Sequence, residues 1–253
     1  MSNVSGTIAS EDRLRWLTGR LAADGSVTLA DASKALGVSE MTVRRDLDEL
    51  EQRGTARRVR GGARAIGPQP FAERRQTAAR AKGLIAAKLA DLVPAVGAVA
   101  FDASSTVMRL AAGLGEARDL TVLTNGLDTF GALAGLPGIH PLLTGGRLEE
   151  RTGSLVGPLA YRSAAQVAVH TFFASAAAVN TQTGALEATL EEAEVKRAIA
   201  AGADRVILAV DASKLGAGGI AVGLEWDQVD VLVTELDPLD ERLQPYRTLA
   251  AIL

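Results

Sequence analysis

The 253 residues contain no cysteine and only two histidines, His140 and His170. Without thiols there is no disulfide, no thiolate zinc site and no cysteine nucleophile, and two histidines supply a metal site poorly. No stretch of about eighteen apolar residues runs free of charge, and the opening MSNVSGTIASEDR has neither the basic n-region nor the apolar h-region of a secretory leader. Those absences point to a cytoplasmic protein with no membrane partner. No G-x-G-x-x-G follows a strand-like run and no G-x-x-x-x-G-K-S/T loop occurs, which argues against dinucleotide and P-loop nucleotide binding. His140 sits inside an apolar run and His170 beside Val169, so both read as structural. Neither a cofactor nor a metal is expected.

What is present is a hydrophobic content of 47%, enough to bury a small core and a larger one. The net charge of -3 is unevenly spread. Residues 1–80 hold 14 Lys and Arg against 10 Asp and Glu, leaving 13 against 20 for the rest. Arg53, Arg57, Arg58, Arg60 and Arg64 follow one another without an acid, a patch suited to a polyanion or to a solvated loop.

Three helices precede that patch. SEDRLRWLTGRLAADG reads as a helix N-capped by Ser10, with an apolar stripe of Leu14, Leu17 and Leu21 and with Gly25 past its end. Thr28 caps a short second helix bearing Leu29, Ala32 and Leu36, and Gly37 makes the turn that closes it. Ser39 caps a third, whose Val43, Leu47 and Leu50 face inward and whose Glu40, Thr42, Arg44 and Arg45 face outward. Two helices joined by a glycine turn, the second presenting polar residues from its first turns, suit major-groove reading. TARRVRGGARAI, with a turn at Gly61-Gly62, fits a two-stranded wing along the DNA backbone. The candidate DNA-binding residues are Thr28, Ser39, Glu40, Met41, Thr42, Arg44, Arg45, Arg57, Arg58 and Arg60. Asp46 is expected to pair with a neighbouring arginine or the first helix and so steady the third.

This stretch resembles the DeoR-family helix-turn-helix signature. The resemblance runs through Arg13, Leu17 and Leu21, then Ser39, Thr42, Val43, Arg44, Arg45, Asp46 and Leu47, and on into the wing sequence RVRGGA.

Prolines and glycine in AIGPQPFAERR place a boundary near Gly67 to Phe71. The domains are therefore expected at 1–66 (winged helix-turn-helix), 67–73 (linker) and 74–253 (α/β effector-binding and oligomerisation domain). After a helix from about Ala72 to Leu92, the buried runs AVGAVAF, TVLTN, IHPLLT, VAVHTFF, DRVILAVD and VDVLVTE alternate with helical segments, which implies a mostly parallel, Rossmann-like α/β sheet. Ligands of such sheets bind beyond the carboxyl ends of the strands. The residues following the runs are Asp102, Ser104, Ser105 and Thr106 before a helix, then Thr124 and Asn125, Gly145 and Gly146, and Asp211 and Lys214. Their hydroxyls, amide, glycines and lysine suit a polar anionic metabolite. Taken singly, Ser104–Thr106 also read as a helix cap, Asn125 as a turn residue and Lys196 as a solvent-facing side chain.

The whole second segment resembles the DeoR effector domain through its D-x-x-S/T-T loop, Thr124-Asn125, Gly145-Gly146, LVGP at Leu155–Pro158, Lys196, and D-x-S-K at Asp211–Lys214. The resemblance implies a fold like that of ribose-5-phosphate isomerase and control by a phosphorylated sugar or related effector at Asp102, Ser104, Ser105, Thr106, Thr124, Asn125, Gly145, Gly146, Lys196, Asp211 and Lys214. It departs at DASST, where the family usually has a glycine before the hydroxyls, and at FFASAAAV, which replaces a glycine-containing segment. The function expected is that of a repressor of a carbohydrate or related catabolic operon. Its partners are double-stranded operator DNA, the effector, and further copies in a homodimer or homotetramer. The competing reading, a sugar-phosphate isomerase with a DNA-binding attachment, would draw on Asp102, Asp211, Lys196 and Lys214.

Overall fold

The computed structural model describes residues 10–53, 56–65 and 69–253, and the chain divides into two compact units after Glu73. Residues 1–9, in which the absence of a leader was read, and part of the expected linker, at 67 and 68, lie outside the described residues.

In the first unit, α1 (Ser10–Asp24) carries Leu14, Leu17 and Leu21 into a core shared with Val43, Leu47 and Leu50. Ser10 is the first helical residue rather than a cap preceding the helix. Gly25 (φ 71°) turns the chain into β1 (Ser26–Thr28). The Thr28 hydroxyl accepts from the Asp31 amide and caps α2 (Leu29–Leu36), which ends on left-handed Gly37 (φ 64°). Ser39 in turn accepts from the Thr42 amide and caps α3 (Glu40–Gln52).

The hairpin that follows pairs β2 (Ala56–Val59) with β3 (Gly62–Ala65). Two features differ from the sequence expectation. The turn is Arg60-Gly61, because Gly62 is already paired with Val59. The sheet has three strands, in the order β1-β3-β2, since Ser26–Thr28 also pairs with β3. Gly62 is what permits that third strand: a Cβ there would lie 2.0 Å from the Val27 carbonyl oxygen.

The expected single helix after the first unit's hairpin is two, α4 (Phe71–Gln76) and α5 (Ala79–Ala90), separated at Ala78, which adopts φ 53°. A non-glycine residue in that region costs about 1–2 kcal/mol, and no glycine or proline announces the break. In chain order there follow β4 (Val96–Phe101), α6 (Ser105–Gly113), β5 (Asp119–Thr124), α7 (Leu127–Leu133), β6 (Ile139–Leu143), the hairpin β7 (Arg147–Glu149) and β8 (Ser154–Val156), α8 (Pro158–Ala164) and β9 (Val169–Ala174). The chain continues with β10 (Ala178–Asn180), β11 (Gly184–Glu187), α9 (Leu190–Ala200), β12 (Ala203–Ala209), β13 (Ala221–Leu224), β14 (Val231–Val233) and β15 (Ala251–Ile252).

Seven of these strands form one wholly parallel sheet, in the order β15-β14-β12-β9-β4-β5-β6. Its runs are apolar throughout because both faces are covered. Alternate residues serve different cores: Ala100, Phe172 and Leu208 pack with α8 and α9, whereas Val99, Phe101, Phe173 and Ile207 pack with α5 and α6. From β4 the chain runs outward to β5 and β6, and from β9 it runs the other way to β12, β14 and β15. The order therefore reverses between β4 and β9, and it is beyond such a switch point that a crevice opens.

Candidate functional site

On the first unit, the outward face of α3 carries Glu40, Met41 (61% exposed), Arg44 and Arg45, all exposed, while Val43, Asp46, Leu47 and Leu50 are buried. Asp46 holds the helix in place. Its carboxylate accepts from Arg13 Nε at 2.7 Å and Nη2 at 2.9 Å, a bidentate bond from α1 to α3. That bond and the buried carboxylate hold the Arg13 guanidinium above its ordinary range. The hydroxyls of Thr28, Ser39 and Thr42 are engaged in the caps of their own helices.

The arginines of the hairpin divide by role. Arg58 Nε pairs with Asp48 at 3.2 Å and its amide donates to Glu51 at 2.7 Å, so it ties the hairpin to α3. Arg44, Arg45, Arg57, Arg60 and Arg64 are exposed and have no acidic partner within 4.0 Å among the described residues. Register places Arg57 directly opposite Arg64, a residue absent from the sequence-derived set. Like charges opposite one another in a sheet repel. Arg64→Ala is thus expected to raise the melting stability of the isolated hairpin unit by about 0.2–1 kcal/mol while weakening its adsorption to duplex DNA. A variant that loses both stability and DNA adsorption would place Arg64 in the packing instead.

At the switch point of the second unit, Asp102 follows β4 and Ser175 follows β9. Asp102 Oδ1 accepts from the Ser104 amide at 3.0 Å, and Oδ2 accepts from the Ser175 amide at 2.7 Å and Lys196 Nζ at 3.1 Å. Lys196 also donates to the Ser175 carbonyl and pairs with Glu187 Oε1 at 2.6 Å. Ser104 caps α6 through the Val107 amide. Ser105 and Thr106, 3% and 2% exposed, open the helix behind that cap. The segments that depart from the family pattern are therefore both in use, and FFASAAAV contributes through the backbone of Ser175.

Two cations that sequence reasoning missed, the buried Lys82 and the half-buried Arg74, complete the cluster. Lys82 Nζ donates to Ser105 Oγ at 3.0 Å and to the Arg74 carbonyl at 2.6 Å, and the Arg74 guanidinium donates to the Thr152 carbonyl at 2.8 Å. In an unbroken helix the Arg74 carbonyl would bond the amide of residue 78, so ending α4 early leaves it for Lys82. Burial pushes Arg74 below its ordinary range, against the pull of Glu192, Asp102, Glu187 and Asp128. Burial likewise pushes Lys82 down to about 8; Asp211 opposes this, and Lys214, Arg74 and Arg109 add to it. A lowered lysine costs stability below its folded value and stops doing so as pH rises from about 8 towards the unfolded value of 10.5. The second unit should accordingly gain thermal stability across that window relative to a Lys82→Met variant. Parallel pH profiles for the two proteins would contradict this.

The remaining expected residues lie around this centre. Asn125 exchanges bonds with Leu155, its side-chain Nδ2 donating to the Leu155 backbone carbonyl at 3.2 Å and its backbone carbonyl accepting from the Leu155 backbone amide at 2.7 Å. The Thr124 hydroxyl accepts from the Gly126 amide, and Gly126 lies against Ala103 so closely that a Cβ would stand 2.8 Å from its Cα. Asp211 caps a 3-10 turn ending at Lys214. Gly145 and Gly146 are exposed with φ 74° and 114°, and Gly146 packs against Val156 and Ala160. Among the described residues no hydrogen bond joins that pair to the Asp102 cluster. One signal in the sequence did point to Lys82: continuing the buried stripe of α5 back from Leu89 and Ile85 lands on it, where an apolar residue would be usual. Arg74 and Glu187 carried no comparable signal.

A model of the DeoR-like helix-turn-helix domain matches residues 13–69, and one of the DeoR C terminal sensor domain matches residues 77–236. The lactose phosphotransferase system repressor of Staphylococcus epidermidis is 28% identical over 244 residues, covering 93% of this chain and 96% of that protein. The glycerol-3-phosphate regulon repressor of Escherichia coli K12 is 27% identical over 217 residues, 85% of this chain and 86% of that one. Among solved structures, ribose 5-phosphate isomerase A from Methanocaldococcus jannaschii is 16% identical with a TM-score of 0.38, over 53% of each chain. Matched along both of its units, the chain belongs to the DeoR family of DNA-binding transcriptional regulators.

Proposed function

We propose that this chain is a cytoplasmic repressor of a carbohydrate or related catabolic operon, released from its operator by a phosphorylated sugar or a similar anionic metabolite. Residues 1–66 act as the DNA-reading domain, 67–73 as a linker, and 74–253 as the effector and oligomerisation domain. Arg44 and Arg45 meet base edges or phosphates in the major groove, with Glu40, Met41 and Thr42 beside them. Arg57, Arg60 and Arg64 lie along the backbone, and Arg58, Thr28 and Ser39 position those elements. A homodimer or homotetramer presents paired winged domains to repeated half-sites.

The observation that carries the effector reading is a buried lysine beside a helix start. Lys82, 4% exposed, meets only the neutral oxygens of Arg74 and Ser105 among the described residues, at the Asp102–Thr106 loop where α6 begins. Buried positive charge is costly unless a negative partner offsets it, and an anion seated on the α6 amides, Ser105 and Thr106 would do so. Lys214 and Asp211 flank the same place, and Thr124 and Asn125 hold the neighbouring strand end. The names of two relatives, a lactose phosphotransferase system repressor and a glycerol-3-phosphate regulon repressor, favour a sugar-derived or phosphorylated ligand.

The test is a panel of phosphorylated sugars and polyols, scored by thermal shift of the full chain and by loss of operator binding. A compound that does both supports the reading. Lys82→Met should bind operator as the wild type does yet lose at least tenfold in sensitivity to that compound. Unchanged sensitivity would exclude the Asp102–Thr106 loop as the site.

A further inference from the structure

At the heart of the second unit one ammonium serves two carboxylates. Lys196 Nζ lies 3.1 Å from Asp102 Oδ2 and 2.6 Å from Glu187 Oε1, and the three side chains are 7%, 6% and 10% exposed. The two acids are not equally supported. Asp102 also accepts from the backbone amides of Ser104 and Ser175, which favours its ionised form. Glu187 has Lys196 and, among the described residues, no backbone amide. The space it occupies exists because residue 223 is glycine, whose Cα would carry a Cβ 3.0 Å from Glu187 Cγ and 3.2 Å from Lys196 Cδ.

The charged groups around Glu187 come from three elements. On α9 they are Lys196 and Glu192, at the end of β4 Asp102, and on α4 Arg74, whose guanidinium feels Glu187, Asp102 and Glu192 together. The segment of residues 219–223 packed against it carries no charge. We propose that Glu187 couples anion binding at the Asp102–Thr106 loop to uptake of a proton, so that this regulator grips its effector more tightly in mildly acid than in mildly alkaline solution. The inference rests on the effector reading above.

The direction follows from charge balance. Burial raises the Glu187 carboxyl to about 7, with Glu192 and Asp102 adding to the rise and Lys196 opposing it. An anion arriving at Lys196 and Arg74 competes for the positive charge that keeps Glu187 ionised, so the carboxyl rises further and takes a proton. Binding that takes up a proton weakens as pH rises through the free-state value. The neutral carboxylic acid gains a donor hydrogen, which a hydroxylated effector can accept.

Sulfate is the suitable probe, since it does not change charge between pH 6 and 7.5 and Lys82 stays largely protonated there. Its affinity for the full chain is read by thermal shift and by titration calorimetry in buffers of different ionisation heat. The expected result is an affinity about threefold higher at pH 6 than at pH 7.5, with proton uptake visible in the buffer dependence. Glu187→Gln should flatten both, and Lys82→Met should abolish binding at this loop.

A pH response as large in Glu187→Gln as in the wild type would overturn the coupling. Should the variant not fold, calorimetry on the wild type decides alone, and no proton uptake overturns the proposal. Sulfate that binds at neither pH, in wild type and variant alike, would instead remove the anion-site reading, and the coupling with it.

Discussion

Replacing Arg44 and Arg45 together with alanine is expected to cost about 2–5 kcal/mol in operator binding at fixed salt, a loss of roughly thirty- to several-thousand-fold. The reason is positional. Both guanidinium groups are exposed on the face of α3 opposite Val43, Leu47 and Leu50, and neither has an acid partner among the described residues. Their removal therefore leaves the packing alone, and the unit should melt within about 0.5 kcal/mol of wild type. Fluorescence anisotropy on operator and scrambled duplexes separates the two roles open to each arginine. A residue reading guanine bidentately loses discrimination between the duplexes, whereas one clamping phosphate weakens both equally and lowers the salt slope by about 1. Replacement by lysine sharpens the distinction, because lysine keeps the charge but not the planar fork. Operator affinity unchanged in the double alanine variant would remove α3 as the recognition helix.

The second large effect concerns the pair beneath that helix. Asp46→Ala leaves the Arg13 guanidinium buried without its carboxylate, and breaking such a pair costs about 3 kcal/mol, within a range of roughly 2–5. A unit of this size has only about 3–9 kcal/mol to lose. Operator binding should then fall through the folded population rather than through any contact, and salt dependence should be preserved. Calorimetry of the full chain should show the first unit melting earlier while the parallel-sheet unit is unmoved. Replacing the pair by apolar side chains, Arg13→Met with Asp46→Leu, should recover much of the stability, because the desolvation of both charges is then avoided. An Asp46→Ala variant as stable as wild type would show that water reaches the pair freely.

The two units were not equally legible. In the first, capping hydroxyls, i, i+4, i+7 leucines and a glycine after each of the first two helices are local signals, and a helix obeys them without reference to distant residues. Even the role of Asp46 could be anticipated, since it is a charge on an otherwise inward face. The third strand could not. Ser26–Thr28 is too short to announce itself, and becomes a strand only because Gly62 lets β3 approach.

For the larger unit, the apolar runs were enough to indicate a parallel sheet with polar residues following its strands. Which of those residues meet depended on strand order. Asp102 and Ser175 stand 73 positions apart and bond because β4 and β9 are neighbours. The same adjacency turned Lys196, readable as a solvated side chain, into the buried partner of two acids.

By itself, then, the amino-acid order determined the caps of α2 and α3 and the positively charged face of α3, since each depends on neighbours within a turn or two of the chain. The charge state and partners of Arg74, Lys82, Glu187 and Lys196 were decided only by the fold, because desolvation and Coulomb energy depend on distance through space and on what excludes water.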